Sequence, residues 1–334
     1  MQKFITSLVL TLLCFGTIAQ STQTDKKIVV SSASMIWDMV ANIAGDKVVN
    51  KLIVPIGGDP HIYEPSPSDA QKVATADLIF INGLTFEGWV VKLIKNSGTK
   101  GNTITVTDGL TPISSSVYDN AYDPHAWMDL SLAQTYIKNI KDGLVEMDPA
   151  NKDYYLSNYQ SYAQKLKDLD TYILNRIKEI PEQKRVLITS HDAFRYYGKR
   201  YGIRVEGVIG ISTEAEAQTS DMVRVVKAIK ESGVPAIFVE TTINPKLLQQ
   251  IAKDNDVAIG GSLFADSIGK KGSGGHSYYD MMKSNTDLIV DALTKEKNIS
   301  DDKDSTGDAG SLPYFVLAGF LVIGLLLFIF KMNK

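Results

Sequence analysis

The feature that most constrains this chain is an alternation of short apolar runs and helical patterns that breaks only once. β-Branched runs at 27–31, 51–56, 78–81, 103–106, 186–189, 207–211, 236–239 and 257–260 read as strands. Helical patterns lie between them at 35–43, 132–146, 193–201, 221–232, 245–255 and 278–294. Strands alternating with helices predict an α/β fold of parallel sheets flanked by helices. The break is 151–180, which has no Gly or Pro and places Tyr155, Leu156, Tyr159, Tyr162, Leu166, Leu169, Ile173 and Ile177 near helical spacing. At 1.5 Å per residue it would run roughly 40–45 Å. It reads as one long helix joining two α/β lobes, with the N-terminal lobe at 27–150, the link at 151–183 and the C-terminal lobe at 184–298.

Both ends lie outside that body. Lys3, an apolar run over 4–15 and Thr17-Ile18-Ala19 have the form of a cleavable secretory signal, assigned to 1–19. The single cysteine, Cys14, is a candidate lipidation site. However, Leu13 stands where a lipoprotein signal has Gly or Ala, and Thr11 where Leu is usual. If Cys14 leaves with the signal, the mature chain has no disulfide and no thiolate ligand. At the other end a polar linker, 299–311, precedes the uncharged, mostly apolar segment 312–330, followed by Lys331 and Lys334. Nineteen such residues just reach across a hydrocarbon core of ~30 Å, and the lysines fit a cytoplasmic tail. This segment is a predicted transmembrane helix that holds the body outside the cytoplasmic membrane, in the periplasm or at the cell surface. The net charge of −3, with Lys and Arg interspersed among Asp and Glu, gives no footprint for nucleic acid. A monomer is expected.

The chain has four histidines, and three of them hold comparable places. His61 lies in Gly57-Gly58-Asp59-Pro60-His61-Ile62-Tyr63-Glu64-Pro65, after a strand. His125 lies in Asp123-Pro124-His125-Ala126-Trp127, before a helix, and His191 directly follows the strand at 186–189. Ligands of open α/β sheets bind beyond the carboxyl ends of the strands, so these residues could meet only between the lobes. One such histidine is ordinarily a packing or capping residue. Three of four suggest a nitrogen-rich metal site, since neutral imidazole is the commonest nitrogen ligand for borderline metals. Imidazole ligands of ordinary pKa would make binding weaken as pH falls towards and below ~6.5.

These motifs make the chain resemble the solute-binding proteins of bacterial zinc and manganese ABC importers, the TroA-like or ZnuA-like family. The resemblance runs from about Lys27 to Leu293. It is carried by the two histidine motifs above, by Asn82-Gly83-Leu84-Thr85-Phe86-Glu87-Gly88-Trp89 and by Thr189-Ser190-His191-Asp192-Ala193-Phe194. Leu263-Phe264-Ala265-Asp266-Ser267-Ile268-Gly269, followed by Ser277-Tyr278-Tyr279, completes it. It implies metal ligands His61, His125, His191 and Asp266, two from each lobe. It also implies a four-stranded parallel sheet in each lobe, a rigid connecting helix, an ABC permease as partner and one Zn2+ or Mn2+ as the transported ligand. Asp266 does not stand out by spacing and is singled out by the motif alone. The metal is left open: residues 114–120 lack the histidine-rich loop of zinc members, yet His191 stands where many manganese members have Glu. Some members of the family carry a cell-adhesion label, which nothing in this sequence tests.

His276, in a Gly-rich stretch, is expected at the surface rather than in the site. Four protein ligands close a tetrahedral site, whereas catalytic zinc keeps a position open, so the chain is not expected to be an enzyme. A zinc hydrolase would need a general base, for which Glu240 is available without a motif to place it. A receptor for a corrinoid or siderophore chelate would share the long helix but call for an aromatic or basic cleft.

Overall fold

The computed structural model describes residues 26–114 and 122–295. The run Leu-Ile-Phe-Ile becomes β3 (Leu78–Ile81), buried at every position. Leu78 and Phe80 enter one hydrophobic core while Ile79 and Ile81 enter another. That is the period of two expected of a strand covered on both faces. β1 (Lys27–Ser31) divides in the same way, with Val29 in the first core and Val30 in the second. With β2 (Val48–Leu52) and β4 (Asn102–Thr105) these strands form a parallel sheet of order β2-β1-β3-β4.

Helix α1 (Ser34–Ala44) and helix α4 (Leu130–Met147) supply the larger core on one face. The other face is covered by α2 (Pro67–Ala74) and α3 (Val90–Ser97). These two short helices do not stand out in the sequence pattern. α2 buries only Asp69 and Val73, too few positions for a clear helical period, although Ser66 and Asp69 form a reciprocal capping box around Pro67. β2 lies nearer the N-terminus than the 51–56 run indicates. The chain leaves the sheet at Pro55, and Gly57 turns it with φ +87°.

The long helical pattern is α5 (Lys152–Ile177), which turns its buried residues, Tyr155, Tyr162, Ala163, Leu166, Leu169, Ile173 and Ile177, to one side. At 26 residues it is about 39 Å long. It packs on α1 and α4 before it and on α9 (Tyr278–Leu293) after it. The core on this side is continuous from Val29 to Leu293.

Beyond α5 the structure departs from the expected four-stranded sheet. β5 (Val186–His191) pairs in parallel with β6 (Arg204–Ile209), and β7 (Ala236–Glu240) pairs with β8 (Ala258–Leu263), as two two-stranded sheets. β5 and β7 run side by side. At their carboxyl ends the His191 amide donates to the Glu240 carboxylate at 2.9 Å rather than to a neighbouring carbonyl. α6 (Arg195–Tyr201), α7 (Thr219–Ser232) and α8 (Lys246–Asp254) complete this half. Among the described residues no helix is long and apolar enough to cross a membrane. The signal at 1–19, Cys14, the linker at 299–311 and the predicted transmembrane segment at 312–330 lie outside the described residues.

Candidate metal centre

Four buried side chains meet between the carboxyl ends of the two sets of strands. His61 comes from the loop between β2 and α2, and His125 stands just before the short 3-10 turn Ala126–Met128 that leads into α4. His191 is the last residue of β5, and Asp266 follows β8. One ligand-capable atom from each lies within 4.8 Å of all the others. His61 is 7% exposed and the other three 0%, so the group is closed to bulk solvent.

The contacts aim these groups at a common point. His125 Nε2 lies 3.3 Å from His61 Nε2 and 3.3 Å from Asp266 Oδ1, and His191 Nε2 lies 3.3 Å from Asp266 Oδ2. Neither Asp266 oxygen makes a hydrogen bond of good geometry, although the residue is fully buried. A buried carboxylate needs positive charge beside it, which protonated His125 and His191 supply in the metal-free protein and a bound cation would supply in their place. The donor set of three imidazoles and one carboxylate suits a borderline divalent ion. The aromatic rings of Phe86 and Trp127 stand 4.9 Å from His61 and 5.2 Å from His125, forming an apolar wall.

Two carboxylates behind the histidines set their orientation. Asp123 Oδ1 accepts from the His125 backbone N–H at 3.0 Å and faces its Nδ1 at 2.7 Å. Glu240 Oε2 faces His191 Nδ1 at 2.6 Å. Each carboxylate occupies Nδ1 and leaves Nε2 for the site, the outer-shell arrangement that orients ligating histidines. Asp59 holds the same place before His61 as Asp123 before His125, and it accepts from the His61 N–H at 2.9 Å. Its other oxygen accepts from Thr213 Oγ1 at 2.7 Å.

Charge follows from this geometry. Burial, opposed by the Asp266 carboxylate and helped by the neighbouring His125 and His191, brings the His61 imidazole down to about 3. Burial also opposes charge on His125, but Asp123 and Asp266 outweigh it and raise the group to about 9. His191 is likewise raised, with Glu240 and Asp266 overcoming burial. Burial would raise Asp266, yet His191 and His125 hold it well below the usual carboxylate range.

The family model described as ZnuA, zinc-uptake complex component A, periplasmic, matches residues 29–292. The chain belongs to this family. It is 38% identical over 268 residues to the manganese-binding lipoprotein MntA of Halalkalibacterium halodurans, covering 80% of this chain and 88% of that one. The structure matches the periplasmic zinc-binding protein TroA from Treponema pallidum with a TM-score of 0.77 at 33% identity, over 81% of this chain and all of that one. It also matches the manganese-bound periplasmic metal-binding protein of Candidatus Liberibacter asiaticus, with a TM-score of 0.74 at 33% identity, over 80% and 100%. The family is one of substrate-binding proteins of ABC transporters, not enzymes, and this chain is one of them.

All four residues expected in the site are in the group. His276 is not: its imidazole is largely exposed, 3.3 Å from Asp280. Sequence reading missed the roles of Asp123 and Glu240. Asp123 had a signal in its place two residues before His125, where a side chain folds back on the backbone. Glu240 had only its position at the end of a strand. Its carboxylate is committed to His191, which removes it as the free base a hydrolase would need.

Proposed function

We infer that this chain captures one divalent transition-metal ion, Zn2+ or Mn2+, through His61, His125, His191 and Asp266 and delivers it to an ABC importer permease. The observation that carries this is the convergence of three imidazoles and the fully buried Asp266 carboxylate, one ligand-capable atom of each lying within 4.8 Å of all the others. The ion is cargo. Asp123 and Glu240 keep the Nε2 atoms of His125 and His191 directed at it, and the apolar wall of Phe86 and Trp127 keeps water out. A closed site lined by groups within 4.8 Å of one another takes a bare ion rather than a corrinoid or siderophore. The names of the relatives support both metals, zinc for TroA and manganese for MntA. We read 27–150 and 184–298 as the two lobes that enclose the ion, with 151–183 joining them.

The protein would work outside the cytoplasmic membrane. The segment 312–330 is the proposed tether. A lipid on Cys14 is the second reading, favoured by the designation of MntA as a lipoprotein. The metal reading is tested by titrating the purified full chain with Zn2+ and Mn2+. One ion per chain is expected. Alanine at His61, His125, His191 or Asp266 should weaken binding by more than about a hundredfold, since loss of an outer-shell partner alone costs about 10–100-fold. His276→Ala should change it less than about twofold, as expected of a surface side chain outside the coordination shell. Binding that survived Asp266→Ala would overturn the assignment.

A further inference from the structure

The four candidate ligands sit on four separate segments, and a pair of serines outside the ligand set ties two of those segments together. Ser34 opens α1 in the N-terminal half, and Ser267 follows Asp266 directly in the C-terminal half. Their hydroxyl oxygens lie 3.0 Å apart, with Ser34 2% exposed and Ser267 1% exposed. Ser267 Oγ accepts from the Gly57 N–H at 2.7 Å and donates to the Ile268 carbonyl at 3.0 Å. Ser34 Oγ accepts from the Ile268 N–H at 3.0 Å. Each hydroxyl has one proton, so Ser34 donates to Ser267 and every partner is satisfied.

Both ends of this network lie next to the site. Gly57 begins the loop that carries His61, and Ser267 is peptide-bonded to Asp266. Thr213 donates to Asp59 across the same gap, so the His61 loop is held to the other half on both sides of Gly58.

We propose that Ser34 and Ser267 are positioning residues for the metal: a buried clasp that holds Asp266 against the His61 loop and slows release of the ion. The clasp rests on the metal reading above. An ion held by groups from both halves leaves only when those groups separate. The clasp opposes that separation, because opening it strands buried donors and acceptors without partners. Losing either serine should therefore affect dissociation more than association.

The test uses the full chain loaded with Zn2+ and mixed with excess EDTA, with release followed by stopped flow. Ser267→Ala and Ser34→Ala should each speed release about tenfold, the scale of one buried hydrogen bond. The double variant should be little faster than either single one, because both break one network. Ser267→Thr, which keeps the hydroxyl, should return the rate towards the starting value. If Ser267→Ala does not fold, Ser34→Ala carries the test. A purely structural role would lower the thermal midpoint of the metal-free protein and leave release unchanged, and that result would overturn the proposal. If the unaltered chain holds no Zn2+, the metal reading fails as well. If it holds Zn2+ and both variants release it at the unaltered rate, only the clasp fails.

Discussion

His125 and His191 each face a buried carboxylate through Nδ1 and Asp266 through Nε2, which makes them basic in the metal-free protein. With His125 raised to about 9 and His191 also raised, both carry protons at pH 7, while His61, pushed down to about 3, is neutral. A metal ion competes with those protons. Binding at pH 7 should therefore release about two protons per ion, and affinity should fall as pH drops from about 9 rather than only below ~6.5. His61 should add nothing to this dependence above about pH 4. The sign follows from the raised values: the protonated, metal-free form gains on the low-pH side of the folded pKa. Calorimetric titrations in buffers of different ionisation enthalpy measure the proton count directly, and a count near zero at pH 7 would contradict the assignment. The carboxylates themselves are testable. Asp123→Asn and Glu240→Gln should each weaken binding by about 10–100-fold and each reduce proton release by about one.

At the scale of elements, the position of His191 depends on how closely β6 approaches β5. Gly207 pairs with Thr189, and a Cβ on Gly207 would lie 2.6 Å from the Asp192 nitrogen and 2.7 Å from the His191 carbonyl carbon. Those are backbone atoms and cannot rotate away. Gly207→Ala should push the end of β5 outward, destabilise the protein by about 1–3 kcal/mol and weaken metal binding about tenfold, since overpacking and ligand displacement act together. Gly210→Ala, with nothing within 4 Å of its Cβ, is the control and should bind normally. Thermal unfolding and metal titration of the two variants decide the matter. The same elements show what could be read beforehand. β3 was legible to the residue because its four apolar positions fill both cores, and α5 because its buried positions run at helical spacing for 26 residues. α2 and α3, at eight residues each, bury too little to show a period. The split of the second sheet was not legible, because strand pairing is decided by tertiary contacts and not by the local pattern; where the strands end, the His191 amide bonds a Glu240 carboxylate 49 residues away. The three histidines could be picked out by their places beyond a strand or before a helix, whereas Asp266 needed the family motif.

For the whole molecule, one continuous core joins Val29 to Leu293 among the described residues, and the four candidate ligands lie among those residues too. The carboxylates behind them do as well. The proposed tether at 312–330 should therefore serve retention and delivery, not binding. Through the linker at 299–311 a flexible chain spans about 20 Å on average, enough to keep the loaded body near a permease and raise its effective concentration there. Truncation after Ser300 should release the protein from the membrane with metal affinity unchanged, and should slow cellular uptake when the metal is scarce. Fractionation, titration and uptake of labelled Zn2+ or Mn2+ measure the three effects. A truncated protein that stayed on the membrane, and left it only when Cys14 was also replaced by Ala, would move the anchor to a lipid on that cysteine. A truncated protein that left the membrane but no longer bound metal would make the C-terminal segment part of the binding fold, and the tether idea would fail.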